Sequence, residues 1–236
     1  GTFEIHSNRS VTIEKDASIK LSPAGRTVNN ERRGGLKITA ESIKNEGEIT
    51  VPGGSVLFTL EDGAPGFALD ADSPRRIFLD SGSSISVAGM KYDNTDRTDS
   101  LPIRHNHLDG GLVDFITKNQ INPKEGIIIK FGAKIDVSGG YEIDPSGKAY
   151  GGDGGSISLE GPFVIIDGEL EGMSLAGNSG GALSVHSYDI RIQPEHEKSL
   201  PSDFAMDDSL DPAQTTTIFG ADYIKDRGFS ELSLTA

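Results

Sequence analysis

Ser179, in the run Leu175 to Val185 that reads Leu-Ala-Gly-Asn-Ser-Gly-Gly-Ala-Leu-Ser-Val, is the residue best placed by its neighbours to act as a nucleophile. A serine hydroxyl attacks a carbonyl only when a histidine takes its proton and a carboxylate orients that histidine. His105, His107 and Asp136 stand upstream in the order such a relay uses. Asp93, Asp96 and Asp99, three residues apart in the acidic stretch Tyr92 to Ser100, offer oxygen ligands of the kind calcium collects six to eight at a time. His105 and His107 also flank one residue, a spacing with which an extended segment pinches a metal such as zinc. A fourth pattern, Asn94-Thr95-Asp96, sets an amide, a hydroxyl and a carboxylate at consecutive positions.

Each of these constellations is incomplete. The serine loop resembles that of trypsin-like proteases, yet neither histidine has the flanking residues that accompany their base. The Asn-Thr-Asp triplet resembles that of β-helical polygalacturonases, but paired aspartates appear only at Asp207 and Asp208, and no Gly-His-Gly follows. Inverting hydrolysis needs carboxylates on both sides of the scissile bond, which a lone triplet does not supply. The acidic stretch lacks the spacing of an EF-hand or a calcium-binding roll, so calcium at Asp93, Asp96 and Asp99 is the weaker reading beside a hydrogen-bonded turn. Met206 to Asp211 reads as a solvated turn or the polar face of a short helix. The sequence therefore predicts no catalytic residue and no required cofactor, with a glycoside hydrolase or lyase and a serine protease as enzymatic alternatives.

The elements that would carry these residues follow from a repeat. Ile77 to Gly89 and Ile127 to Gly139 align without a gap, setting Leu79, Gly82, Ile85, Val87 and Gly89 over Ile129, Gly132, Ile135, Val137 and Gly139. Val11 to Ser22 and Ser42 to Gly53 follow the same scheme, with Ile19, Leu21, Ile49 and Val51 at the inward positions. A second repeat enters strands through Gly-Gly, at Pro52 to Phe58, Asp153 to Leu159 and Ser179 to Val185. In that alignment Ser179 occupies the place of Asp153 and Pro52, so nothing in the repeat requires a hydroxyl there.

Strands this short cannot each bury a face, but stacked coils bury a continuous core. The expected fold is all-β: a right-handed parallel β-helix, one segment over residues 1–236, with insertions at about 61–75, 90–125 and 193–226. A β-sandwich or barrel is the rival architecture. Ile85, Val87, Ile135, Val137, Ile157 and Leu159 form the expected core stacks, Gly82, Gly132, Gly154 and Gly180 the turns, and outward Ser, Asp, Lys and Glu the wet surface. Loops inserted into a regular scaffold are where binding is expected.

Composition agrees. Thirty glycines among 236 residues, no tryptophan and no cysteine describe a turn-rich chain without disulfides or thiol chemistry. A net charge of −14 repels phosphate backbones, which excludes nucleic acid as an expected partner. No apolar run approaches the roughly 20 residues of a bilayer-spanning helix, so the chain is not expected to span a membrane that way.

The motifs at Gly132 to Gly140, Gly151 to Val185 and Asp226 to Ala236 resemble, in order, the passenger region of filamentous-haemagglutinin-like exoproteins. That resemblance implies a large secreted bacterial surface protein, exported through an outer-membrane transporter of the two-partner type, built as a long β-helix and used in adhesion. Its implied partners are a host or sibling-cell surface glycan or protein and neighbouring coils of a longer parent chain. The Asn-Pro-Asn-Gly signature of the family's secretion domain is missing, with Asn122 to Gly126 the nearest approximation, so an internal piece of a passenger is expected.

Overall fold

A computed structural model describes residues 1–22, 34–63, 69, 73–98, 108–117, 124–197 and 199–236. The chain coils. Its first turn is β1 (Thr2–His6), β2 (Ser10–Ile13) and β3 (Ser18–Lys20), and its second β4 (Gly35–Ala40), β5 (Ser42–Asn45) and β6 (Glu48–Thr50). The third is β7 (Ser55–Leu60), β8 (Arg75–Leu79) and β9 (Ser84–Ser86), after which β10 (Lys91–Asp93) leaves the coil. β11 (Leu112–Thr117), β12 (Glu125–Ile129) and β13 (Lys134–Asp136) make the fourth turn. A hairpin of β14 (Tyr141–Ile143) and β15 (Ala149–Gly151) precedes the fifth, β16 (Ser156–Glu160), β17 (Val164–Ile166) and β18 (Glu169–Glu171). β19 (Gly181–His186), β20 (Ile190–Gln193), a 3₁₀ turn at Pro212–Thr215, β21 (Thr217–Gly220) and β22 (Phe229–Thr235) complete the chain.

Strands in equivalent positions pair in parallel. β1, β4, β7, β11, β16, β19 and β22 form a seven-stranded sheet A; β2, β5, β8, β12 and β17 form sheet B; β3, β6, β9, β13 and β18 form sheet C. This is a parallel β-helix. The register sets Ile77 on Ile127, Leu79 on Ile129 and Ile85 on Ile135, which is the gapless alignment read from the sequence. Ile85, Val87, Ile135, Val137, Ile157 and Leu159 are all fully buried, as expected of core stacks. Each such side chain stabilises the fold by about 1.5–3 kcal/mol relative to exposure.

The glycines divide into two kinds. Gly82 and Gly132 turn the chain from sheet B to sheet C at φ +85°, and Asp16 holds φ +66° at the equivalent place in the first coil. Gly154 and Gly180 are needed for close approach instead. A Cβ on Gly154 would lie 2.4 Å from the backbone nitrogen of Gly181, and one on Gly180 would lie 2.1 Å from the carbonyl oxygen of Gly228.

Two expectations change. The span 90–125, expected as a single insertion, contains β11, which pairs with β7 and β16 in the middle of sheet A. Its Asp109-Gly110-Gly111 is a further copy of the Gly-Gly entry, and Gly111 stacks directly over Gly54, its Cβ position 2.0 Å from the Gly54 oxygen. The outer surface of sheet B is not wet either. Phe78, Ile128 and Ile165 point away from the main core, yet are buried in a second cluster with Phe163 and Phe204, against Leu200, Met206 and Leu210. The expected insertion 193–226 thus contains a strap that closes over sheet B. Its pins are polar: Arg76 Nη1 donates to the carbonyls of Met206 (2.7 Å) and Asp208 (2.8 Å), and Asp167 accepts from the N–H groups of Ser199 (2.8 Å) and Leu200 (3.0 Å). Burial lowers the Arg76 pKa to about 10, against the opposing charges of Asp207 and Asp208.

Candidate functional site

Ser179 sits at the entry to β19 on an exposed turn. Its backbone N–H donates to Oδ1 of Asp153 (2.8 Å), and the N–H of Asp153 donates in turn to Oδ1 of Asp109 (3.0 Å). Asp109, Asp153 and Ser179 are therefore successive members of one ladder, in which the Asp109 and Asp153 carboxylates each accept from the backbone of the next coil. The serine is a ladder position. Asp136, the expected orienting carboxylate, accepts from the N–H of Ser138 (2.9 Å) in its own turn. His105 and His107 lie outside the described residues.

The acidic stretch is likewise a turn. Asp93 Oδ1 accepts from the N–H (3.1 Å) and hydroxyl (2.8 Å) of Thr95, and these two bonds hold its carboxyl below the usual carboxylate range. Asp96 is exposed, and Asp99 lies outside the described residues. Among the described residues no three acidic or histidine side chains gather as metal ligands. Asp207 and Asp208 belong to the strap, where Asp208 Oδ2 accepts from the N–H of Ala205 (2.7 Å).

What the fold does build is a flap. β10 pairs in parallel with β14, and β14 antiparallel with β15, so three strands from two departures of the coil form one small sheet apart from A, B and C. The register puts Tyr92, Glu142 and Tyr150 in one row. Glu142 is buried, and Asn94 Nδ2 donates to its Oε1 (2.7 Å). Burial, then the Glu142 charge, raises the Tyr92 phenol above its ordinary pKa, and the Tyr92 hydroxyl lies 2.9 Å from Met90 Sδ. The Lys148 ammonium stands 4.6 Å over the Tyr150 ring. Asp144 closes the hairpin, accepting from the hydroxyl (2.6 Å) and N–H (2.8 Å) of Ser146 and from the N–H of Lys148 (2.9 Å). Tyr92, Tyr141 and Tyr150, three of the five tyrosines in the chain, are half-buried on this flap.

Beside the flap's return to the coil, the stacked Gly-Gly entries leave a shallow groove of about 550 Å³ along sheet A. Ser55, Leu112, Asp153, Ser156, Ser179 and Glu231 are among the residues that line it. Further along the outer face of sheet A, Asp114 is raised above the usual carboxylate range by burial and the neighbouring Glu160, a hydrogen bond from Ser158 opposing the shift.

No family model matches the chain, and neither a curated protein nor a solved structure does. Among the described residues no helix is long and apolar enough to cross a membrane.

The flap was hidden from sequence reasoning because its strands are three residues long and come from segments separated by a whole coil. The clustering of tyrosines at 92, 141 and 150 was the available signal.

Proposed function

We propose that this chain is a non-enzymatic adhesive and structural segment of a large secreted bacterial surface exoprotein, in which the β-helix is the rigid carrier and the flap of β10, β14 and β15 is the recognition element. One observation carries this reading: three of the five tyrosines stand on the flap, whereas Leu200, Phe204, Met206 and Leu210 of the 193–226 insertion are occupied in covering sheet B. Tyrosine gives large, stiff contact area with a polar tip, which suits recognition of a glycan or protein surface. The resemblance to filamentous-haemagglutinin-like passengers supports export through a two-partner transporter and a place outside the cell. The test is binding to host cells, sibling bacteria and a glycan panel by the chain and by a variant with Tyr92, Tyr141 and Tyr150 all changed to Ala. Loss of binding with an unchanged melting temperature supports the reading; equal binding by both proteins refutes the flap's role.

A second reading rests on Asp114. A carboxyl held toward its protonated form beside the carboxylate Glu160, on the outer face of a β-helix, is the pairing from which a polysaccharide hydrolase or lyase draws its acid and base. Release of new sugar ends from acidic polysaccharides, lost in Asp114→Asn, would establish it in place of the first.

A further inference from the structure

The strap over sheet B is held down differently from the coil beneath it. Phe204 and its neighbours pack with Phe78, Ile128, Phe163 and Ile165 in a cluster separate from the main core. Among the described residues no strand pairing joins 199–211 to sheet B. The polar pins are Arg76, which donates to the carbonyls of Met206 and Asp208, and Asp167, which accepts from the N–H groups of Ser199 and Leu200.

The strap also carries structure of its own. The Ala205 N–H donates to Asp208 Oδ2 (2.7 Å), the Asp208 N–H donates to the Ala205 carbonyl (3.1 Å), and Gln214 Nε2 reaches back to the Ser199 carbonyl at 3.5 Å. Its base is fixed separately. The chain leaves at Gln193 of β20 and returns at Thr217 of β21, the strand paired with β20. There the Thr217 N–H donates to the Asp189 carbonyl (2.8 Å) and the Thr216 hydroxyl to Asp189 Oδ2 (3.0 Å). A loop whose internal bonds travel with it, and whose two ends are clamped side by side, lifts without unravelling the coil.

Closing the strap works against one group. Arg76 is buried, its guanidinium stands 5.6 Å from the centre of the Phe204 ring, and among the described residues its Nε has no hydrogen-bond partner. Burial lowers its pKa to about 10 despite the charges of Asp207 and Asp208, so the closed state holds a cation out of water that opening returns to it. Apolar burial closes the strap, and desolvation of Arg76 opposes it within the same small cluster. We infer that residues 199–211 form a latch, which opens as one unit while the coil stays folded and uncovers Phe78, Ile128, Phe163 and Ile165 as an apolar strip. The latch switches the outer face of sheet B from closed to apolar without altering the coil.

The test is native-state hydrogen exchange, read residue by residue by NMR at increasing urea below the unfolding transition and corrected for intrinsic rates. In the wild-type chain the N–H groups of Ser199, Leu200 and Ala205 are expected to exchange with one common urea dependence. They are expected to do so at least a hundredfold faster than those of Ile127 and Lys130, which bond to the Phe163 and Leu79 carbonyls within the coil. Leu159→Ala, in the main core, is expected to speed Ile127 and Lys130 at least tenfold and to leave the three strap groups at wild-type rates. Asp167→Ala removes the acceptor of Ser199 and Leu200 but not that of Ala205, so exchange at least tenfold faster at Ala205 marks opening as a unit. Strap and coil groups that share one rate and one urea dependence overturn the inference. So does an Asp167→Ala effect confined to Ser199 and Leu200.

Discussion

Ile128→Ala separates this structure from a generic β-helix. Ile128 lies on the outward side of β12, where a solenoid ordinarily meets water and truncation shifts stability by no more than about 0.5 kcal/mol. Here the side chain has no solvent exposure, enclosed with Phe78, Ile165 and Phe204 beneath the strap. Truncating a fully enclosed isoleucine removes its transfer free energy and leaves a cavity, and the loss is about 2–4 kcal/mol. Urea denaturation followed by far-UV circular dichroism reads this as a fall in midpoint at constant slope. Ser184→Ala, outward on β19 in sheet A, is the control and stays within about 0.5 kcal/mol. Phe204→Ala on the strap costs about 3–5 kcal/mol. The double variant loses less than the sum of the two by about 0.5 kcal/mol or more, because both side chains belong to one cluster. If Ile128→Ala behaves like Ser184→Ala, the strap does not cover sheet B and the account of the 193–226 insertion is wrong.

Other substitutions test the ladder and the stacking. Asp153→Ala removes the acceptor of the Ser179 N–H and costs about 1 kcal/mol, whereas Ser179→Ala stays within about 0.5 kcal/mol in the same denaturation assay. A casein or peptide digest showing activity that disappears in Ser179→Ala would refute the ladder role of that serine. Gly111→Ala places a methyl 2.0 Å from the Gly54 oxygen and is expected to lose about 3 kcal/mol or more, or to yield insoluble protein; a stable, soluble variant contradicts the close stacking. Asp80, although partial burial opposes it, is held below its usual pKa by Lys130 (2.9 Å) and the Ser81 N–H. Its contribution is therefore complete above about pH 4 and lost as pH falls through the lowered folded value. Lys130→Met is expected to reduce the acid dependence of stability below about pH 4, read from urea midpoints at matched pH; an unchanged acid limb counts against that pair.

Much of the coil was legible because its signal is local and repeated. The alternation at Ile85 and Val87 recurs at Ile135 and Val137, and a repeat that preserves both turn and strand fixes which face is inward. The Gly-Gly alignment also marks Ser179 as a turn position, since Asp153 fills the same place. β11 was obscured by its surroundings: Asp109-Gly110-Gly111 is a full copy of the entry motif, but it follows a long polar stretch that drew the whole span 90–125 into one insertion. The strap was harder to foresee. Phe78, Ile128 and Ile165 lie within short unbroken apolar runs, Ile-Phe-Leu, Ile-Ile-Ile and Phe-Val-Ile-Ile, and such runs mark strands buried on both faces. Reading them that way required knowing that Phe204 and Met206, far along the chain, return to cover them. The flap depends on pairing between strands about 50 residues apart, and three-residue strands carry no periodicity of their own.

The central claim is that recognition resides on the flap and the coil only carries it. Its most direct test is quantitative binding of the intact chain to host cells, sibling bacteria and a glycan panel, beside the Tyr92, Tyr141 and Tyr150 triple alanine variant and the strap variant Phe204→Ala. The account predicts binding that falls at least tenfold in the flap variant and persists in the strap variant. Binding that survives loss of all three tyrosines would contradict it.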